Sequence, residues 1–198
     1  MDLKAWLPLF LYLSIQSITP GPNNLTCMYL GGKLGFRGSL RFISGSMLAL
    51  FVKTLLCGLL NLTLSEHMPA VVSVLKWLGA AFMLYLAWSM CVSGWQEELS
   101  LPGQQNSSSF KSGVILQLLN GKSWIVSVSM FAVYVIPQSS KLSAILLTAL
   151  LFLFLAALCS VIWAFFGTAL KSFISKHRKP FGIVMGLSLL YCAITAVI

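Results

Sequence analysis

The stretch ITPGPNN, residues 18–24, lies inside an apolar run that otherwise has the length and composition of a membrane-spanning helix. Pro20 and Pro22 have no backbone N–H to donate, and Gly21 lets the chain leave helical geometry at low steric cost. The helix has to unwind here. In hydrocarbon an unpaired backbone group is costly, so an unwound segment must face protein, water or a ligand. The break implies a cavity at membrane depth.

The composition around it supports that setting. Of 198 residues, 58% are hydrophobic and 9% charged, with four acidic residues in all and a mean hydropathy of +0.91. A soluble domain of this size would need a charged shell that these residues are too few to make. Counting apolar runs against the roughly 20 residues that cross a bilayer predicts six transmembrane helices in an all-α integral membrane protein. They fall at 5–30, 42–64, 69–92, 110–136, 142–170 and 180–198, all within one membrane domain, 1–198. A cleaved leader fits poorly, because Asp2 offsets Lys4 and no small-residue cleavage site follows a short apolar core.

The net charge of +9 is a matter of topology and not of nucleic-acid binding. Lys33, Arg37, Arg41, Lys111, Lys171, Lys176, Arg178 and Lys179 fall on one membrane face, whereas Lys4, Lys76 and Lys141 fall on the other. The positive-inside rule makes the first face cytoplasmic and puts both termini outside. Lys53 and Lys122 remain, both within spans.

The polar linker 94–109 divides the chain into three spans and three, 5–93 and 110–198. An odd number of crossings makes any structural repeat an inverted one. Spans three and six share Leu-Tyr-x-Ala, and span four carries its own interruption, LNGKSW, at Asn120, Gly121 and Lys122. Pro20 lies ten residues before Leu30 and Asn120 ten after Phe110. At 1.5 Å per residue both breaks sit about 15 Å from the cytoplasmic end, near mid-membrane.

These residues suit a small anion. Pro22 fits the first position of a second half-helix, and the amides of Asn23 and Asn24 then point into the gap. A helix N-terminus favours a carboxylate, and Asn120 with Gly121 offers a second one. Lys122 is the cation beside both breaks, with no acid in any span to neutralise it. Against that reading stands snorkelling or hydrogen bonding to backbone. Lys53 has no motif around it and reads equally as a pathway, coupling or interface residue. Gln16 and Gln117 flank the breaks and are candidate cavity-lining groups.

Other chemistry has little to stand on. The five cysteines all lie in apolar spans with no Cys-x-x-Cys spacing, and His67 and His177 are isolated. No metal ligands, cofactor site or disulfide framework is expected. No Ser/His/Asp set or paired intramembrane carboxylates suggest catalytic residues, so an enzyme is not expected either. A membrane thiol-redox protein and a scaffold are the readings from other classes.

With Thr-Pro-Gly-Pro-Asn in span one, the loop GGKLGFRGSLR, six spans and Asn-x-Lys in span four, the chain resembles the LysE/RhtB family of bacterial amino-acid exporters nearly end to end. The resemblance implies a multi-pass inner-membrane efflux transporter, driven by protons in antiport and built from two inverted three-helix repeats with helices one and four broken. Pro20, Gly21, Pro22, Asn24, Asn120 and Lys122 match its motifs. Gly121 replaces the commoner family proline, as in the branch that exports cysteine and O-acetylserine. Threonine, homoserine or another small solute is the alternative cargo, Lys53 or Lys122 the candidate proton carrier, and a homo-oligomer stays open.

Overall fold

The computed structural model describes residues 3–63 and 110–177, together with residues 77, 81, 84–85, 87–88, 180, 183–184, 186–188, 190–191 and 194. Every regular element among them is helical. α1 runs Leu3–Ile18, α2 Pro22–Thr63, α3 Phe110–Leu118, α4 Gly121–Ser129, α5 Leu142–Ala169 and α6 Lys171–Lys176. Between α4 and α5, Met130–Val135 forms a π-helical stretch that nothing in MFAVYV announces. Expected span three and the linker 94–109 lie mostly or wholly outside the described residues. The described residues of span six, from 180 to 194, are helical.

Both breaks fall where the prolines and Asn120 place them. Residues 19–21 separate α1 from α2, and 119–120 separate α3 from α4, with a 61° bend across the second break. The expected loop at 31–41 is different, because it is helical on both sides of Gly35. Lys33, Leu34, Arg37, Leu40 and Arg41 are good helix formers, so only a glycine stops the turn. Gly35 has φ +77°, a conformation that an L side chain disfavours. α2 would otherwise extend roughly 60 Å, twice the hydrocarbon thickness; the turn at Gly35 divides it into a half-helix at 22–34 and a spanning helix at 36–63.

Polarity is arranged inside out. Lys53, Ser46, Thr54, Gln117, Asn120, Ser127 and Ser160 are buried, while Leu147, Phe154, Phe165 and Leu158 of α5 are exposed. Such a distribution suits lipid on the outside and a polar interior. α2 and α5 are each long and apolar enough to cross a membrane, and α3 with α4 and the π-helical stretch makes a third, bent candidate. The protein is a multi-pass membrane protein.

Two crossings bring these helices to backbone contact. Gly45 of α2 lies against the Phe110 carbonyl and Gly113 of α3 against the Phe42 carbonyl; Gly31 and Gly167 similarly meet the carbonyls of Ala164 and Met28. A methyl group at any of the four would sit well inside van der Waals contact with a main-chain oxygen. Small residues drive such packing where lipid removes the hydrophobic incentive. Gly45→Ala and Gly167→Ala are each expected to destabilise the protein by about 1–3 kcal/mol through overpacking, read as earlier thermal unfolding in detergent.

Candidate functional site

The two breaks meet. Lys122, the second residue of α4, lays its side chain along Gly21, where an added Cβ would stand 3.4 Å from Lys122 Cδ and 3.7 Å from Nζ. Its ammonium donates to the carbonyls of Gln16, at 3.1 Å, and Thr19, at 3.4 Å. Both oxygens belong to the last turn of α1 and the break after it. The break removes their usual amide donors.

Asn24 serves the same carbonyl cluster from the other side. Its Nδ2 donates to Ser17 O at 2.7 Å and to Thr19 O at 3.1 Å. The side-chain amide therefore points back at α1. Pro22 is the first residue of α2, as its missing N–H predicts, and Pro20 borders a larger cavity described below. Asn23 turns toward the helices that pack behind the break: its Nδ2 donates to Ser160 Oγ of α5 at 2.9 Å, and its Oδ1 accepts from Ser46 Oγ at 2.5 Å.

At the second break Asn120 is the N-cap of α4. Its Oδ1 accepts from Ser123 N at 3.4 Å, and its carbonyl accepts from Ser123 Oγ at 2.9 Å. Gly121 opens the helix and is buried. Gln117 is 2% exposed and accepts from Ser46 Oγ through its side chain and from Lys53 Nζ through its carbonyl, both at 3.3 Å. Ser46 thus joins the two breaks. Trp124 Nε1 donates to Leu118 O at 2.7 Å, satisfying another carbonyl at the end of α3.

A small cavity of about 60 Å³ lies between the breaks. Gly21, Asn24, Asn120 and Lys122 line its polar part, and Met47, Leu50, Val126 and Phe152 its apolar part. Ser17 also lines it, with a buried Oγ that has no hydrogen-bond partner among the described residues. Gln16, Thr19, Lys122 and Val126 are shared with a second cavity of about 690 Å³, whose far side carries Tyr12, Val184, Leu187 and Tyr191. No acidic residue occurs among the described residues. The small cavity is a slot, apolar over most of its surface, with a cation and helix N-termini on one wall and aliphatic and aromatic groups on another.

Of the residues expected from sequence, Gly21, Asn23, Asn24, Asn120, Lys122, Gln16 and Gln117 line this slot, while Lys53 stands behind it. Ser46, Ser123, Ser160 and Phe152 were not foreseen. A seven-residue spacing of Ser46 and Lys53, which puts both on one helical face, was the only available signal.

Known proteins resemble the chain over most of its length. The family model described as LysE type translocator matches residues 14–198. The cysteine/O-acetylserine efflux protein of Escherichia coli strain K12 is 31% identical over 183 residues, covering 92% of each chain. The protein of the same name from Escherichia coli O6:K15:H31 is 32% identical over 184 residues, and that of Shigella flexneri serotype 5b is 31% identical over 183, each with 92% coverage both ways. No solved structure matches the chain.

One amide holding two orphaned carbonyls is a sensitive point. Asn24→Ala should lower stability by about 1–3 kcal/mol in a detergent unfolding assay. Asn24→Asp should fall at least as far, because an ionised carboxylate has no hydrogen to give Ser17 O and Thr19 O.

Proposed function

The chain belongs to the LysE type translocator family, and from that premise we propose that it exports a small zwitterionic amino acid, cysteine or O-acetylserine, across the bacterial inner membrane in antiport with protons. Both termini lie on the periplasmic side, and the two halves of the chain, 5–93 and 110–198, act as inverted repeats around the slot. The observation that carries the reading is the meeting of two helix breaks at one cavity, with Lys122 lying on Gly21.

Each end of the substrate has a matching group. Its carboxylate rests between the N-terminus of α4, the positive end of that helix dipole, and the Lys122 ammonium, which reaches across to the first break. Its ammonium rests on carbonyls of the breaks and on side-chain oxygens nearby, Asn120 among them. The Ser17 hydroxyl, without a hydrogen-bond partner among the described residues, is available to either end. A free cation has no acid to pair with among the described residues, which favours a zwitterion over an amine.

Size supports small cargo. A water needs about 10–15 Å³ by the same measure, so the slot holds roughly five water-sized groups. That is the scale of cysteine, and Met47, Leu50 and Phe152 bound the space left for a side chain.

Counterflow in proteoliposomes tests the proposal. Vesicles loaded with unlabelled cysteine or O-acetylserine should draw in labelled cysteine, and an imposed pH gradient should drive accumulation. Lys122→Met, still folded, should lose about 30-fold or more in kcat/KM, the weight of one charge-assisted bond to a carboxylate. Absence of counterflow with any amino acid in folded protein would overturn the assignment. Phe152→Ala should widen the slot and let leucine compete with labelled cysteine, which the wild type resists.

A further inference from the structure

Lys53 is a lysine with 0% exposure in the middle of the helix 36–63, and the proposed transport chemistry makes no use of it. Its ammonium donates to the Gln117 carbonyl at 3.3 Å and to the Ser123 hydroxyl, and lies 5.3 Å from the centroid of the Trp124 ring. Ser123 passes the chain on to the Asn120 carbonyl at 2.9 Å. All of these partners belong to the second half of the chain and surround the break at 119–120.

Lys122 does the converse. It belongs to the second half and holds the Gln16 and Thr19 carbonyls at the break of the first. Each lysine therefore crosses from one half onto the C-terminal end of a broken helix in the other, where the helix dipole is negative and carbonyls lack amide partners. Charge-assisted bonds of this kind are about twice as strong as neutral ones. Neutral ties between the halves, such as Asn23 to Ser160, Ser46 to Gln117 and Thr54 to Ser127, are weaker companions.

The clamps stand on different walls of the slot. Lys122, Gln16 and Thr19 separate it from the 690 Å³ cavity, whereas Gln117 and Ser123 line the slot alone, with Lys53 directly behind them. Exposing a central site alternately to two faces requires the halves to rearrange without both clamps holding throughout. A buried ammonium that loses its acceptors is desolvated and unpaired, so the Lys53 clamp biases the protein strongly toward the arrangement in which it is made.

Resting on the exporter reading above, we infer that Lys53 is a positioning residue for transport: its clamp on Gln117 and Ser123 holds one access state of the carrier, and its release belongs to the other. Removing such a tie shifts the population between the states. Apparent affinity then rises on the face that the new state opens and falls on the opposite face.

The experiment measures KM for labelled cysteine from each face, in right-side-out and inside-out vesicles carrying the full chain. With Lys53→Met, which removes both bonds of the clamp, the two values should move in opposite directions by about 30-fold or more, and Lys53→Arg should restore them toward wild type. A rise in KM on both faces would make Lys53 a substrate ligand and overturn the inference. A lower Vmax with both KM values unmoved would make its role structural and also overturn it. Should Lys53→Met fail to fold, Ser123→Ala removes one acceptor only and should shift both values in the same senses by less; no shift overturns the inference. Wild-type protein without counterflow would sink the exporter reading itself, an outcome distinct from unchanged KM values in a working carrier.

Discussion

A helix that breaks inside a membrane leaves carbonyl groups that its own amides no longer reach, and each must find another donor. In this protein the donors can be followed one by one. Ile15 O accepts from Thr19 N and Oγ1; Gln16 O accepts from Lys122, Ser17 O from Asn24, and Thr19 O from both. At the second break Gln117 O accepts from Lys53 and Asn120 N, Leu118 O from Trp124, and Asn120 O from Ser123. The polar side chains of the site are largely the answer to this demand.

The same demand explains the unusual placement of charge. Two lysines stand in an apolar bundle with carbonyls, a hydroxyl and an aromatic face as partners, and no acid occurs among the described residues. A cation that rests on carbonyl and hydroxyl dipoles contributes a positive potential to the slot beside it. Glycines then set the frame: Gly45 with Gly113 and Gly31 with Gly167 bring α2 against α3 and α5 closely enough for these short polar ties to span.

Much of this was legible along the chain. Pro20, Gly21 and Pro22 announce the first break, because proline removes a donor whatever surrounds it, and Asn120 announces the second by its capping chemistry. The apolar outer face of α5 follows from its run of Leu and Phe. Other features were not legible. Residues 31–41 look like a loop because of their glycines and charges, yet they form helix apart from Gly35, since one positive-φ residue suffices to turn the chain. That the Asn24 side-chain amide closes on the Ser17 and Thr19 carbonyls was not visible along the chain, because orphaned carbonyls within reach compete for any amide donor. Ser46, Ser123 and Ser160 look like ordinary small polar residues in spans, which commonly bond to their own helix.

By itself the sequence determined the membrane setting, the all-helical class, the position of both breaks and the family. Each of these is carried by local composition or by residues such as proline that act on their own backbone. Only the tertiary structure decided that the breaks meet, that Gly21 makes room for Lys122, and that Lys53 closes on Gln117 and Ser123. Those outcomes join residues 64 to 106 positions apart in the chain. They depend on how closely the helices pack, which is a property of paired surfaces and not of any one segment.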